Sequence, residues 1–563
     1  FVDLTGYRIT SATTAEEAYD IQDAQPFEGT ANQRFNVGLM LKRNHDPTSL
    51  LEKNWGERQK ELRQLRDSNT LWSTYGADPT TYNKATTELA GPAYNLKLLT
   101  SINSNYVSSP ESRMIWVEIN TKEDFKALFG KDLYYSNSAG IPFWKDHLSL
   151  PSEWNIGGIW LDLSTVPPAS NLTPGVSSTL PQGPQSIGSS SSNPATINPQ
   201  NIAALYNFPL QGKQVRTGTV GLIEPAVGSY LPGDQAGEAF QTRLNTYLSS
   251  INQVPLPGMG GITVQGINGQ SKGGTGERSI DVGVVAGVNP NSLLALYNGS
   301  GESSNTGNAN ASTFTAAQSA IWDLTNNPAI TSNSWGDDQS MAPGSPFYYA
   351  YEQMFLDAAL QNQTTVIALG DGGSGNETSN GLTNVEMNVT QATNLLVGGT
   401  SLSQLGSASN SDPTLTQSLL PQSLALNPTL LWSLMRSGLS QLPSNNTSAA
   451  GQRLLEAVWN TYVLSGNEIV GPNNLFDPGY QYNNTSSGGV DPSQPTPSYQ
   501  LNYGLTPTTT DPLQQKGRGV PDVVANAGGN MEYNVPAPDM TGTVPQGGTS
   551  AAAPFWASLL TQI

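Results

Sequence analysis

The chain contains no cysteine. That excludes disulfides, thiol nucleophiles and thiolate metal sites. Histidine is nearly as scarce: His45 and His147 are the only two, and none follows in residues 148–563. Charged residues make up only 12% of the chain, below the roughly 25% of an average soluble domain. Basic residues are the rarer sign, 25 Lys and Arg against 44 Asp and Glu, giving a net charge of -19. Such a surface does not suit nucleic acid, whose phosphates need Lys and Arg. It does suit acid, where carboxylates neutralise without leaving a large positive excess. No apolar run approaches the ~18 residues of a membrane span. The first residue is Phe1 rather than Met, which fits a leader already removed.

What the chain does have begins with Asn-x-Ser/Thr sequons. They stand at Asn171, Asn298, Asn310, Asn362, Asn376, Asn388, Asn446 and Asn484, with overlapping ones at Asn445 and Asn483. Their density predicts an exported glycoprotein, secreted or cell-surface.

Residues 1–163 are charged and periodic. Residues 47–67 read as one amphipathic helix with Leu51, Trp55, Leu62 and Leu65 inward. Residues 113–119 read as a strand, and 121–130 as a capped helix ending in Gly. This predicts a compact α+β domain. Residues 164–199 are then Pro, Ser, Gly and Thr with no acidic or basic residue, so they read as an exposed, protease-accessible linker. From 200 to 563, apolar runs at 218–224, 364–370 and 394–398 alternate with helical patterns at 236–251 and 347–362. That alternation predicts an α/β domain with a mainly parallel sheet flanked by helices. Residues 401–455 and 461–515 read as long polar insertions.

Three places could carry chemistry. In GGTSAAAP (547–554), the glycines permit a tight turn and Ser550 falls at a helix N-terminus. Unpaired backbone N–H groups and the positive dipole end surround such a hydroxyl, as a serine nucleophile requires. A plain Ser N-cap is the alternative. Pro554 is read as falling in the helix's first turn, where it costs no hydrogen bond. A serine nucleophile needs a base, and no histidine is present in that domain. Glu277 and Asp281, in GERSIDVGVV (276–285), are four apart and share a face if helical. Adjacent carboxylates share protons, so one can act as base while the other orients it. Two acids on a solvated helix face are the alternative. Asp371, in ALGDGGSG (368–375), follows an apolar strand. Held protonated, it could donate to an oxyanion; a turn-forming or calcium-binding Asp is the alternative.

Together with INPQNIAALYNFP (197–209), VGLIEPAVGSY (220–230), SNSWG (332–336), VGGTSL (397–402), EAVWN (456–460), SSGGV (486–490) and GRGVPDVVANAG (517–528), these motifs resemble the sedolisin family, the serine-carboxyl peptidases. The resemblance implies a subtilisin-like fold and an acid endopeptidase acting on proteins or peptides. It implies Ser550 as nucleophile, Glu277 as general base and acid, Asp281 orienting Glu277, and Asp371 as oxyanion acid. Ser332, Ser334, Trp335 and Gly336 would line the substrate cleft. Residues 1–163, most visibly DPTTYNKATTELAG (78–91), resemble the family's prosegment. It would act as intramolecular chaperone and inhibitor, with activation inside the linker. The family's calcium ligands would lie beyond Ile563. A carboxylate base has an unperturbed pKa near ~4.3, usable where imidazole is fully charged. A catalytically silent surface or structural glycoprotein of the same family is the rival reading. A polysaccharide- or ligand-binding β-rich protein is a third, and it leaves the ordered set of motifs unexplained.

Overall fold

The computed structural model describes residues 2–3, 24–28, 35–99, 106–136, 141–145, 148–162, 195–210, 213, 215–225, 240–265, 275–300, 312–336, 346–372, 390–404, 454–459, 463–465, 468–471, 486–509, 513–528 and 531–563. The linker expected over 164–199 lies outside these residues apart from its last five, and most of the 401–455 insertion lies outside them too.

The N-terminal part centres on β1 (Phe35–Leu41), FNVGLML, every residue of which is buried. The expected single helix over 47–67 is two pieces, Thr48–Leu51 and α1 (Trp55–Asp67). Asn54 starts the second by accepting from the Glu57 N–H, so the helix does not run through although the apolar spacing does. Leu62 is buried as expected, whereas Trp55 is 71% exposed. β2 (Lys97–Leu99) and β3 (Met114–Ile119) precede α2 (Lys122–Phe129). Thr121 and Asp124 form a reciprocal capping box at the start of α2, and Gly130 ends it in the left-handed region. With β4 (Ile156–Asp162) the sheet order is β2-β3-β1-β4, antiparallel throughout.

The second part alternates strand and helix: β5 (Val220–Ile223), α3 (Phe240–Ser250), β6 (Ile262–Gln265), α4 (Thr275–Val288), β7 (Leu294–Tyr297), α5 (Thr313–Ile321), β8 (Ile330–Asn333), α6 (Pro346–Leu360), β9 (Thr364–Ala368) and β10 (Asn394–Gln404). After it come β11 (Leu454–Val458), β12 (Val523–Asn526), β13 (Met531–Pro536) and α7 (Thr549–Leu560). The strands order as β6-β7-β5-β8-β9-β10-β11, with β12 also on β10. All pairs are parallel except β10–β11. This is the expected α/β architecture.

Strand alternation splits the sheet's apolar side chains between two cores. Val220, Leu222, Val366 and Val397 pack with α3, α4 and α7 on one face. Ile223, Ile367 and Leu396 pack with α5 and α6 on the other. That second core continues into the N-terminal sheet. Trp160 of β4 stacks on Phe314 of α5, 4.7 Å between centroids, and the Trp116 indole N–H donates to Gln318 Oε1 at 3.0 Å. Gly158 permits the close approach, since a Cβ there would lie 2.9 Å from the Pro346 carbonyl and from the Tyr349 ring. Asp357 of α6 anchors the same contact, held by Arg43 at 2.7 Å and Arg113 at 2.9 Å. No helix among the described residues is long and apolar enough to cross a membrane.

Candidate active site

Chemistry-bearing residues gather at the carboxyl ends of the parallel strands, where open α/β sheets place their ligands. Glu224 follows β5, Ser334 follows β8 and Asp371 follows β9. Helix α4 brings Glu277 and Asp281 to the same edge one turn apart, as the i, i+4 spacing predicts. Gly283 seats that helix: a Cβ there would lie 2.4 Å from Pro536 Cδ and 2.9 Å from Val535 Cβ on β13.

Helix α7 begins at Thr549, with Gly548 as cap at φ +96°, so Ser550 stands in its first turn. Ala551, Ala552 and Ala553 are fully buried, and their small side chains let α7 lie against the sheet. Pro554 is not in the first turn as the sequence suggested, but inside the helix. Its missing N–H frees the Ser550 carbonyl, four residues back. The Ser334 hydroxyl lies 3.4 Å from that carbonyl oxygen and 3.1 Å from Asp281 Oδ1.

The sequence-predicted residues come together. The Ser550 and Ser334 hydroxyls face Glu277 closely enough to oppose the rise in its pKa, and the Ser334 hydroxyl donates to Asp281 Oδ1 at 3.1 Å. Asp281 shares a hydrogen bond with Glu224, which takes the Trp335 indole N–H at 3.2 Å. Glu224 was missed in the sequence because VGLIEP reads as a strand followed by one ordinary acid. Its signal was present: a carboxylate placed directly after a fully apolar strand.

Burial of three carboxyls together dominates the electrostatics. Desolvation, the largest cause, pushes Glu224 and Glu277 up to about 8 and holds Asp281 well above the usual range. Mutual repulsion adds to this at Glu277 and Asp281. The hydrogen bond from Ser550 opposes it at Glu277, and those from Trp335, with the charge of Arg278, oppose it at Glu224. Two carboxylates cannot hydrogen-bond each other unless a proton lies between them, so the Glu224–Asp281 pair is held by a shared proton.

This arrangement makes stability depend on pH. Glu224 and Glu277 bind protons more tightly folded than unfolded, so their contribution is complete below about pH 4.5 and is lost as pH rises to about 8. The melting temperature should fall across that interval, and Glu224→Gln should flatten the decline. Thermal scans at fixed ionic strength decide; a melting temperature that rises with pH there would contradict the coupling.

Across from the carboxyl cluster, Asp371 Oδ1 accepts from the Thr549 N–H at 2.9 Å and the Thr549 hydroxyl at 2.7 Å. Burial raises Asp371 above its ordinary value, although both Thr549 bonds oppose the shift. A raised pKa favours the protonated form, the one able to donate to an oxyanion.

Other expected residues behave differently. Ser332 is fully buried within β8, and Ser334 and Trp335 turn inward to the carboxyls, so none of these three side chains is free for a substrate. Gly336 is part-exposed. Asn298 is 3% exposed at the end of β7 and has no room for a glycan. Asn362 is exposed, and the other sequons lie outside the described residues. Among the described residues no group of three or more acidic or imidazole side chains is placed to hold a metal ion.

A serine at a helix start, buried carboxyls beside it and a mainly parallel sheet beneath them form the candidate site. No family model matches the chain. Kumamolisin from Bacillus sp. (strain MN-32) is 27% identical over 380 residues, 67% of this chain and 53% of that protein. The chain thus spans about half the length of the curated relative it matches. Among solved structures, Pseudomonas sedolisin, a serine-carboxyl proteinase complexed with two molecules of pseudo-iodotyrostatin, is similar at 18% identity. Its TM-score is 0.41, over 66% of this chain and 81% of that one. The epidermin leader peptide processing serine protease EpiP from Staphylococcus aureus is similar at 11% identity and a TM-score of 0.35, over 94% of this chain and 87% of that one. The similarity to kumamolisin agrees with the resemblance that the sequence motifs carry.

Proposed function

We propose that the chain is an acid-acting serine-carboxyl endopeptidase of protein and peptide substrates, exported as a zymogen. The observation that carries this reading is the gathering of Ser550 against buried Glu277, with Ser334 donating to Asp281 beside Glu224 and with Asp371 held by Thr549 opposite. Ser550 Oγ attacks the scissile carbonyl carbon while its proton passes to the ionised Glu277. The carbonyl π electrons move to oxygen, and protonated Asp371 donates a hydrogen bond to that oxyanion. Collapse of the tetrahedral species breaks the C–N bond, and Glu277 returns the proton to the departing amine. Water then releases the acyl group by the same steps, with Glu277 again as base. Asp281 orients Glu277, and the proton it shares with Glu224 leaves the cluster's negative charge available to Glu277.

Activity requires only the first proton lost from the coupled Glu224–Asp281–Glu277 cluster, which leaves before the mutual repulsion that raises the later losses is present, and one proton kept on Asp371, which gives a bell-shaped dependence on pH. The N-terminal part serves as prosegment: it shares a core with α5 and α6, and the Pro/Ser/Gly-rich stretch 164–199 is its cleavage region. A stabilising calcium ion and an acidic extracellular setting complete the proposal. The test is to incubate the purified chain from about pH 2 to about pH 7, following self-cleavage and hydrolysis of an unfolded protein. Cleavage within 164–199 followed by hydrolysis in acid is expected. An intact, inactive chain at every pH, with and without calcium, would favour the silent surface glycoprotein.

A further inference from the structure

We infer that Thr549, the residue before the serine, is the positioning residue that sorts the two oxygens of Asp371 and leaves Oδ2 as the oxygen that meets the oxyanion. The inference rests on the peptidase reading above, in which Asp371 is the oxyanion acid.

Both Thr549 donors converge on one atom, the backbone N–H at 2.9 Å and the hydroxyl at 2.7 Å from Asp371 Oδ1. A carboxylic acid has one carbonyl-type oxygen that accepts and one hydroxyl oxygen that donates. Two donors aimed at Oδ1 make it the acceptor, so the acid's own proton resides on Oδ2. Oδ2 in turn faces the turn that starts α7: a Cβ on Gly548 would lie 2.8 Å from it. That is one reason residue 548 has no side chain; its φ of +96° is another.

The Thr549 hydroxyl has a second task. It accepts the Gly370 N–H at 3.1 Å, so its own proton is directed to Asp371 rather than elsewhere. The Gly370 carbonyl is held from the opposite side by the Ser487 N–H at 2.9 Å. The backbone leading into Asp371 is thereby clamped between α7 and the 486–490 segment, and the acid and the serine move as one body. Serine could make both bonds through its hydroxyl, and valine, of the same shape, neither.

Electrostatics agree. The bonds from Thr549 favour the ionised carboxyl and oppose the shift caused by burial. Glu277, facing from α4, is the ionisable neighbour whose charge acts together with that of Asp371. Removing the hydroxyl should therefore move the Asp371 titration upward while loosening its aim.

The experiment uses the full chain with carboxyl-13C aspartate, in wild type, Thr549→Val and Thr549→Ser, with Asp371→Asn assigning the resonance. Titrations are paired with kcat and KM profiles. In Thr549→Val the Asp371 titration should rise by about one pH unit. kcat should fall about tenfold or more with KM little changed, and the alkaline limb of the profile should follow the titration. Thr549→Ser should restore all three, and melting temperatures check that both variants fold. A Thr549→Val chain that is merely less stable, with the Asp371 titration unmoved, would overturn the inference. A shifted titration in a chain inactive at every pH would uphold the pairing of Thr549 with Asp371 and sink the peptidase reading instead.

Discussion

Ser550→Ala is expected to lower peptide hydrolysis by about 10⁶-fold, with Glu277→Gln close behind, because nucleophile and base act as a unit and losing either forfeits most of the whole. The geometry explains why no bypass is available. Ser550 faces Glu277, and no histidine lies anywhere in residues 148–563. Water could replace the base only without its positioning. Asp281→Asn should be milder, since Ser334 keeps a hold on Glu277. The double variant Ser550→Ala/Glu277→Gln should be scarcely worse than either single one. Single-turnover assays on an unfolded protein substrate measure all four. A Ser550→Ala chain retaining even a tenth of wild-type kcat would place the chemistry elsewhere.

The second large effect concerns stability. Asp357 on α6 forms ion pairs with Arg43 and Arg113, the latter also a hydrogen bond, and the three side chains are 2%, 5% and 0% exposed. Gln353 joins the cluster, its side-chain oxygen taking Arg43 Nε at 2.6 Å and its carbonyl taking Arg43 and Arg113 at 2.7 and 3.1 Å. Asp357→Ala would leave two guanidinium groups buried without their counter-charge. Burial already draws Arg43 down to about 10, still protonated at neutral pH. Breaking a buried pair by removing one partner costs about 3–5 kcal/mol, and here one carboxylate serves two cations. Asp357→Asn keeps the shape and one acceptor and should lose less. Urea unfolding of the uncleaved chain reads the difference. A change below about 1 kcal/mol, the scale of an exposed ion pair, would mean that the N-terminal part and α6 are held by apolar packing alone. Because Arg43 and Arg113 belong to one part and Asp357 to the other, the variant should also free the N-terminal part earlier in an acid pulse.

Several features were legible without coordinates because they rest on local rules. The capped helix 121–130, the strands at 114–119 and 220–223, and the helices 240–250 and 346–360 follow from periodicity, caps and apolar runs. The pairing of Glu277 with Asp281 needs only a helix and a spacing of four. The break at Asn54 was not legible, since apolar spacing continues across it while the cap bond that restarts the helix depends on backbone geometry. Pro554 was misplaced by reading the helix start two or three residues late.

What the sequence by itself determined is the kind of chemistry available. Without cysteine, and without histidine beyond residue 147, a serine in residues 148–563 has only carboxylates or lysine of that part as its possible base. Only the tertiary structure decided which carboxyls serve and in what state. Glu224 is 53 residues from Glu277, and Asp371 is 178 from Thr549. They meet because parallel strands deliver their carboxyl ends to one edge. Their pKa values follow from how much water that edge excludes, and desolvation is a property of the whole fold rather than of any segment.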